Sequence, residues 1–258
     1  MGAKQQVDVV EDDVLRMFVG AFVDELARSG LSQVALCPGS RSAPLALLFR
    51  KHPVIKVWTH LDERSAAFFA LGMAKARREP VAVVSTSGTA AVNFAPAVVE
   101  AYYARVPLLV LTADRPPELQ GVGAPQTIDQ MRLYGSHAKW FVEMLLPETS
   151  AGAIRYARTI ACRAAATARS DRAGPVHLNF PFREPLVPGG GEPPPSIRDE
   201  GLLPGYRPAY VYVGQAPRRP QPADLAPLAS NLRASQRGLI ICGPQDDPRF
   251  PEMVMRLA

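Results

Sequence analysis

Apolar residues along this chain recur at two spacings. Val14, Phe18, Phe22 and Leu26 lie four apart, so Val7 to Ser29 reads as an amphipathic helix, acidic at its start and ended by Gly30. Short apolar runs then appear at intervals: Val34 to Cys37, Val54 to Trp58, Val81 to Ser85, Leu108 to Thr112 and Val176 to Phe180. Their length and β-branching suit buried strands. Helical patterns fill the gaps at Pro44 to Phe49, Ala66 to Ala76, Ala90 to Ala104 and Thr149 to Ser170; Ala66, Phe69, Ala70 and Met73 share one face of the second. Strands alternating with helices of this length predict crossover units and a doubly wound, mostly parallel α/β sheet.

The pattern breaks after Phe182. Ten of the 26 prolines fall between Pro185 and Pro222, beside Gly189-Gly190-Gly191. Such a stretch reads as a surface linker. A fresh pattern follows, with a helix around Leu225 to Leu232 and a strand from Gly238 to Cys242. The predicted organisation is a first domain over residues 1–184, a linker over 185–222 and the start of a second α/β domain over 223–258. One strand with two helices buries too little apolar surface to stand alone. The expectation is a truncated chain, or one whose partner half lies elsewhere.

Composition narrows the function. At 47% hydrophobic and 21% charged residues, the 258-residue chain reads as a soluble globular protein. The net charge of +5 is spread without blocks of like sign, which gives nucleic-acid binding no support and equally suits acidic small molecules. Three cysteines, Cys37, Cys162 and Cys242, lie far apart and argue against a disulfide framework or a zinc site. With no signal pattern and no membrane-length apolar run, the expected location is the cytoplasm.

Four polar motifs each follow a predicted strand, at the edge where open α/β sheets bind ligands. Pro38-Gly39-Ser40-Arg41-Ser42-Ala43-Pro44 offers a tight turn and puts Ser40 and Arg41 at a helix N-terminus, suited to an anion; it also reads as a plain turn with Ser42 as N-cap. His60-Leu61-Asp62-Glu63-Arg64-Ser65 places carboxylates where a strand yields to a helix, which dipole chemistry alone also favours. Thr86-Ser87-Gly88-Thr89-Ala90 allows close backbone approach to a ligand, or simply caps a helix. Thr112-Ala113-Asp114-Arg115-Pro116-Pro117-Glu118 reads as a rigid loop whose Arg115 suits a carboxylate, or forms a surface Asp-Arg pair. Downstream, Gly123 to Thr127 adds the Gln126 amide. The four histidines show no metal-ligand spacing, and no Ser-His-Asp arrangement is legible.

In combination these segments resemble the N-terminal part of thiamine-diphosphate enzymes. Within them the resemblance is to the 2-succinyl-5-enolpyruvyl-6-hydroxy-3-cyclohexene-1-carboxylate synthases of menaquinone biosynthesis. It runs from about Leu15 to Pro185 and rests on PGSRSAPL, HLDERSAAFFALGMAKA, VSTSGTAAVNF, LTADRPPEL, GAPQTIDQ and VHLNFPFREPL. PGSRS and TADRPPEL are the discriminating segments, since the glutamate and the S-G-T turn are common to thiamine enzymes at large. The resemblance implies a pyrimidine-binding domain and a transferase that decarboxylates 2-oxoglutarate and adds the succinyl unit to isochorismate. It implies that Glu63 hydrogen-bonds the cofactor's aminopyrimidine, which promotes deprotonation of the thiazolium carbon. Thr86, Ser87 and Gly88 then shape the cofactor pocket, and Ser40, Arg41, Arg115 and Gln126 face isochorismate. It also implies a dimer or dimer of dimers with the site shared between subunits.

The family's Gly-Asp-Gly segment for diphosphate and Mg²⁺ does not occur here, nor do most of the residues that hold 2-oxoglutarate. Metal ligands are therefore expected outside this chain, which alone is expected to bind cofactor poorly and not to turn over. Two alternatives remain. One is a thiamine-diphosphate carboligase or decarboxylase of the acetolactate synthase type, which needs Glu63 but not Arg41 and Arg115. The other is a non-catalytic α/β module.

Overall fold

Strands Gln33–Leu36 (β1), Lys56–Thr59 (β2), Val81–Ser85 (β3), Leu108–Asp114 (β4), Trp140–Glu143 (β5) and Val176–Pro181 (β6) form one sheet in the order β2-β1-β3-β4-β6-β5. Every pairing is parallel. The computed structural model describes residues 2–188, 209–210, 213–214, 220–243, 245, 247 and 249–258. Helices Gly2–Arg28 (α1), Ala43–Lys51 (α2), Glu63–Arg77 (α3), Thr89–Val92 (α4), Ala95–Tyr103 (α5) and Ala151–Arg169 (α6) connect or flank the strands. The chain divides into two units, Met1–Gln215 and Ala216–Ala258. The expected linker at 185–222 lies largely outside the described residues.

Two apolar layers sandwich the sheet, as a parallel sheet requires. On one face Val34, Ala82, Val84, Leu109, Leu111, Val176, Leu178 and Phe180 pack with Phe18, Phe22 and Leu26 of α1, Phe49 of α2 and the alanines of α6. On the other, Ala35, Val81, Val83, Leu108 and Val110 meet Ala66, Ala70 and Ala74 of α3 and Ala97, Val98 and Ala101 of α5. The alternation along β3 and β4 is the period-2 pleat filled with apolar residues on both sides. Alanines at the α3 and α6 contacts let the helix backbones approach the sheet and each other closely.

Several details differ from the sequence reading. The helix expected over 90–104 is broken at Asn93-Phe94. Pro96 lacks the N–H that would bond back into the preceding turn, and the Asn93 side chain donates to the Thr89 carbonyl at 2.9 Å instead. Thr112 to Asp114 continue β4 rather than beginning a loop, because Ala113 and Asp114 pair with Phe180 and Pro181. Edge strand β5 was not foreseen. In the second unit, helices Pro222–Ala234 (α7) and Phe250–Leu257 (α8) form, but Gly238 to Cys242 is not a strand. Leu239 and Ile241 are 85% and 86% exposed. A strand needs a hydrogen-bonding neighbour, and the described residues of this unit supply none. No helix among the described residues is long and apolar enough to cross a membrane.

Candidate active site

The chain reverses its direction of winding across the sheet at β1, whose neighbours are β2 on one side and β3 on the other. The loops after β1 and β3 therefore diverge from one crevice, the place where open α/β sheets bind ligands. These loops carry PGSRS and TSGT. They touch: a Cβ on Gly39 would lie 2.5 Å from Cβ and 2.9 Å from Oγ1 of Thr86, so only glycine permits the approach. Ser42 does not cap α2 through its side chain; its hydroxyl donates to the Gly39 carbonyl at 3.0 Å and closes the turn. Ser40 sits exposed on that turn.

Glu63 is the first residue of α3, at the end of the loop leaving β2. Asp62 is the cap: its carboxylate accepts from the Ser65 backbone N–H at 2.7 Å. The half-buried Glu63 is thereby freed from the capping task, and no described residue hydrogen-bonds its carboxylate. It faces the β1 loop closely enough to act on Cys37, whose thiol is pushed up to about 12 by burial and then by the charges of Glu63 and Asp62. That thiol is inert at neutral pH.

Of the remaining expected residues, Arg115, Gln126 and Gly88 gather at Ser87, while Arg41 is anchored separately. Arg115 Nη1 donates to the Ser87 hydroxyl and, at 3.0 Å, to the Gln126 carbonyl. Gln126 holds a left-handed backbone (φ 55°), and its side-chain amide donates to the Ser87 carbonyl at 3.0 Å. Gly88 (φ 81°) lies under it, where a Cβ would come within 2.9 Å of Gln126 Cγ. Arg41 is 7% exposed; Nη1 donates to the Phe182 carbonyl at 2.9 Å and Nη2 pairs with Glu184 at 3.3 Å, while buried Nε has no hydrogen-bond partner among the described residues. The Arg115 guanidinium is held below its ordinary value by burial and by the positive charge of Arg41. Two neighbouring cations, one buried, make a favourable place for an acidic ligand. The alternative reading of this motif, a surface Asp114–Arg115 side-chain ion pair, does not form: Asp114 is 2% exposed and accepts instead from the Arg115 backbone N–H at 2.7 Å.

Sequence reasoning missed a buried polar network beside this cluster. Thr112 and Asp114 of β4, Glu143 of β5 and His177 and Asn179 of β6 occupy pleat positions opposite to the apolar residues that face α1 and α6. Asn179 Nδ2 donates to Asp114 Oδ2 and to Glu143 Oε2, both at 2.8 Å. Asn179 Oδ1 accepts from Thr112 Oγ1 and from Gln130 Nε2, both at 2.7 Å. Gln130 Oε1 accepts the Gly88 N–H at 2.8 Å. Alternation of polar and apolar residues in Val176 to Pro181 was the available signal.

Burial holds the Asp114 carboxyl above its usual range and raises Glu143 to about 7; Asn179 opposes both shifts. Burial lowers His177 to about 3, so its ring is neutral. Glu143, ordinarily near 4.5, thus binds its proton more tightly in the folded state, and stability falls as pH rises from that value through about 7. Glu143→Gln keeps an oxygen for Asn179 and is expected to flatten this decline. Discounted for partial exposure, the gain is about 1 kcal/mol at about pH 8. Urea denaturation at acid and alkaline pH measures it; a variant that keeps the full wild-type slope refutes the assignment.

No group of three or more His, Cys, Asp or Glu among the described residues is arranged to hold a metal ion. Residues 18–133 match the family model described as thiamine pyrophosphate enzyme, N-terminal TPP binding domain. The chain is 53% identical over 246 residues to the 2-succinyl-5-enolpyruvyl-6-hydroxy-3-cyclohexene-1-carboxylate synthase of Geobacillus kaustophilus (strain HTA426), covering 95% of this chain and 42% of the relative. The synthase of the same name from Chloroflexus aurantiacus is 50% identical over 246 residues, 95% of this chain and 40% of the relative. The chain thus spans about two fifths of the length of the curated relatives it matches.

Proposed function

We propose, for a chain whose residues 18–133 belong to the N-terminal TPP binding domain of the thiamine pyrophosphate enzymes, that the protein of which it is part is a 2-succinyl-5-enolpyruvyl-6-hydroxy-3-cyclohexene-1-carboxylate synthase. It decarboxylates 2-oxoglutarate, adds the succinyl unit to isochorismate and releases carbon dioxide, as a step of menaquinone biosynthesis. The observation that carries this reading is the Glu63 carboxylate, unpaired among the described residues and close to Cys37 at the end of β1, with Asp62 doing the capping beside it.

The residues present fit the pyrimidine half of thiamine diphosphate. A half-buried carboxylate with no hydrogen-bond partner among the described residues is the group an aminopyrimidine nitrogen requires. Gly39 lets the β1 loop pack directly against Thr86 of the buried β3 loop at the crevice. When bound, the cofactor supplies a carbon nucleophile that no side chain can provide. Glu63 holds the proton shared with the ring nitrogen and so sets its tautomer. Thr86, Ser87 and Gly88 shape the wall, while Arg41, Arg115, Ser40 and Gln126 bind and orient the isochorismate carboxylates. The described residues carry no metal cluster. The reading assigns Mg²⁺, the diphosphate and most 2-oxoglutarate contacts to residues outside these 258. In this reading residues 1–184 are the pyrimidine-binding domain, 185–222 a linker and 223–258 the start of a further domain. The subunits form a cytoplasmic homo-oligomer that shares the site.

In the full-length protein, carbon dioxide release from 2-oxoglutarate should depend on isochorismate, thiamine diphosphate and Mg²⁺. Arg115→Ala should raise the isochorismate KM about 10- to 100-fold, the value of a lost charge-assisted bond, and leave the 2-oxoglutarate KM within about threefold. Intact isochorismate use by that variant would sink the assignment and favour a carboligase of the acetolactate synthase type.

A further inference from the structure

We propose that Gln130 is a positioning residue for the proposed isochorismate site: it holds the peptide between Ser87 and Gly88 in the one orientation that presents the Ser87 carbonyl to Gln126. The inference rests on the function proposed above. Gln130 is 1% exposed and hydrogen-bonds Gly88, Ala113 and Asn179, none of them a residue assigned to substrate.

The network beneath it has a determined polarity. The Ala113 carbonyl can only accept and the Gly88 N–H can only donate, so Gln130 turns its NH₂ to the first and its oxygen to the second; Asn179 then presents its oxygen to Gln130 and its NH₂ to Asp114 and Glu143. The Asn179 oxygen also faces Thr112. The Thr112 hydroxyl spends its proton there and accepts from Nε2 of the neutral His177 ring. The Gln130 NH₂ lies 2.7 Å from the Asn179 oxygen and 3.1 Å from the Ala113 carbonyl. With this N–H directed into the network, the Ser87 carbonyl on the same peptide plane points the opposite way, where the Gln126 amide meets it. Gln130 thus ties the β4 backbone and Asn179 to the loop that carries Arg115's partner.

Gln130→Glu reads this polarity directly. A carboxylate at 130 still accepts from Gly88 but repels the Asn179 and Ala113 oxygens; a protonated carboxyl donates its single proton to one of them and so restores part of the wild-type pattern. The charged and titratable groups around it are Asp114 and the neighbouring Arg115 from β4, Glu143 from β5, His177 from β6 and Asp129 beside it; the acidic neighbours favour the protonated form. In full-length Gln130→Glu enzyme the isochorismate KM is expected to rise about three- to tenfold at about pH 8 and to return toward wild type at about pH 6. The kcat and the thiamine diphosphate Kd should stay within about threefold. Gln130→Met, similar in size but unable to form either bond, should raise KM at both pH values. Gly88 amide hydrogen exchange at about pH 8 should be faster in both variants, with wild-type near-ultraviolet circular dichroism as the folding control.

A Gln130→Glu KM that follows the wild-type pH profile, with Gly88 exchange unchanged, overturns the proposal. If the wild-type protein does not use isochorismate at all, the functional reading fails instead, and Gly88 exchange alone decides the positioning role.

Discussion

Glu63→Gln is expected to lower kcat of the full-length protein about 10²- to 10⁴-fold, the usual worth of a positioned proton-transfer group. Thiamine diphosphate should still bind, because glutamine keeps the size and a hydrogen-bonding oxygen. What it loses is the capacity to hold a proton at the ring nitrogen. Two accounts of this carboxylate compete. An acid in a helix's first turn gains about 0.3–1 kcal/mol from the dipole and needs no further purpose. The geometry separates them, because Asp62 caps α3 through the Ser65 N–H and Glu63 contributes no cap bond. Glu63→Gln should therefore leave the unfolding free energy within about 0.5 kcal/mol, whereas Asp62→Ala should lower it through loss of the cap without the kinetic collapse. Steady-state kinetics and urea denaturation of the same preparations make the comparison. Near-wild-type turnover in Glu63→Gln would remove the residue from the chemistry and revive the non-catalytic alternative.

The second large effect concerns stability. Arg158 of α6, 3% exposed, donates through Nη1 to Asp24 and to Glu25 of α1, both at 3.0 Å. Glu25 is 0% exposed and also accepts from the Tyr210 backbone N–H. Asp24 is held down at about 2: burial raises it, but hydrogen bonds from His52, Arg28 and Arg158 outweigh that. Burial leaves Glu25 raised despite the Tyr210 N–H and Arg158. Arg158→Ala should cost about 3–5 kcal/mol, since it strands a buried carboxylate beside a second one. The sign of the pH dependence follows. A Glu25 carboxyl raised further in the variant binds its proton better folded than unfolded, so the loss is largest at neutral pH and shrinks on acidification. The double variant Glu25→Gln with Arg158→Met should recover most of the stability, because a neutral pair of similar volume removes the desolvation cost. Equal losses for Arg158→Ala at about pH 5 and about pH 8 would contradict this account.

Much of the fold was legible because period and composition coincide there. The runs Val34 to Cys37, Val81 to Ser85 and Val176 to Phe180 are apolar on both pleat faces or bounded by turns, and each became a parallel strand within a residue or two of its expected ends. Trp140–Glu143 escaped notice because an edge strand of four half-buried residues carries no long apolar run. Gly238 to Cys242 reads locally as a strand, yet no neighbour among the described residues of its unit pairs with it. The candidate site residues were chosen for chemistry and placement after strands, and Ser87, Gly88, Arg115 and Gln126 do meet. Gln130, Asn179 and Glu143 were invisible in that scheme. Their significance lies in one another's positions, and they are 49 and 36 residues apart along the chain.

By itself the amino-acid sequence determined most of the strands and helices of residues 1–184, and that its polar motifs lie at strand ends. Those are short-range properties, set by hydrophobic period, glycine and proline placement and side-chain chemistry. Only the tertiary structure decided that β1 lies between β2 and β3, which brings Gly39 against Thr86 and opens the crevice there. Only it decided that Asp62 and not Glu63 caps α3, and that Asp114 turns inward to Asn179 and away from the Arg115 side chain. These outcomes depend on strand order and on which face of each pleat is covered. Both are settled by long-range burial, which no local window of sequence contains.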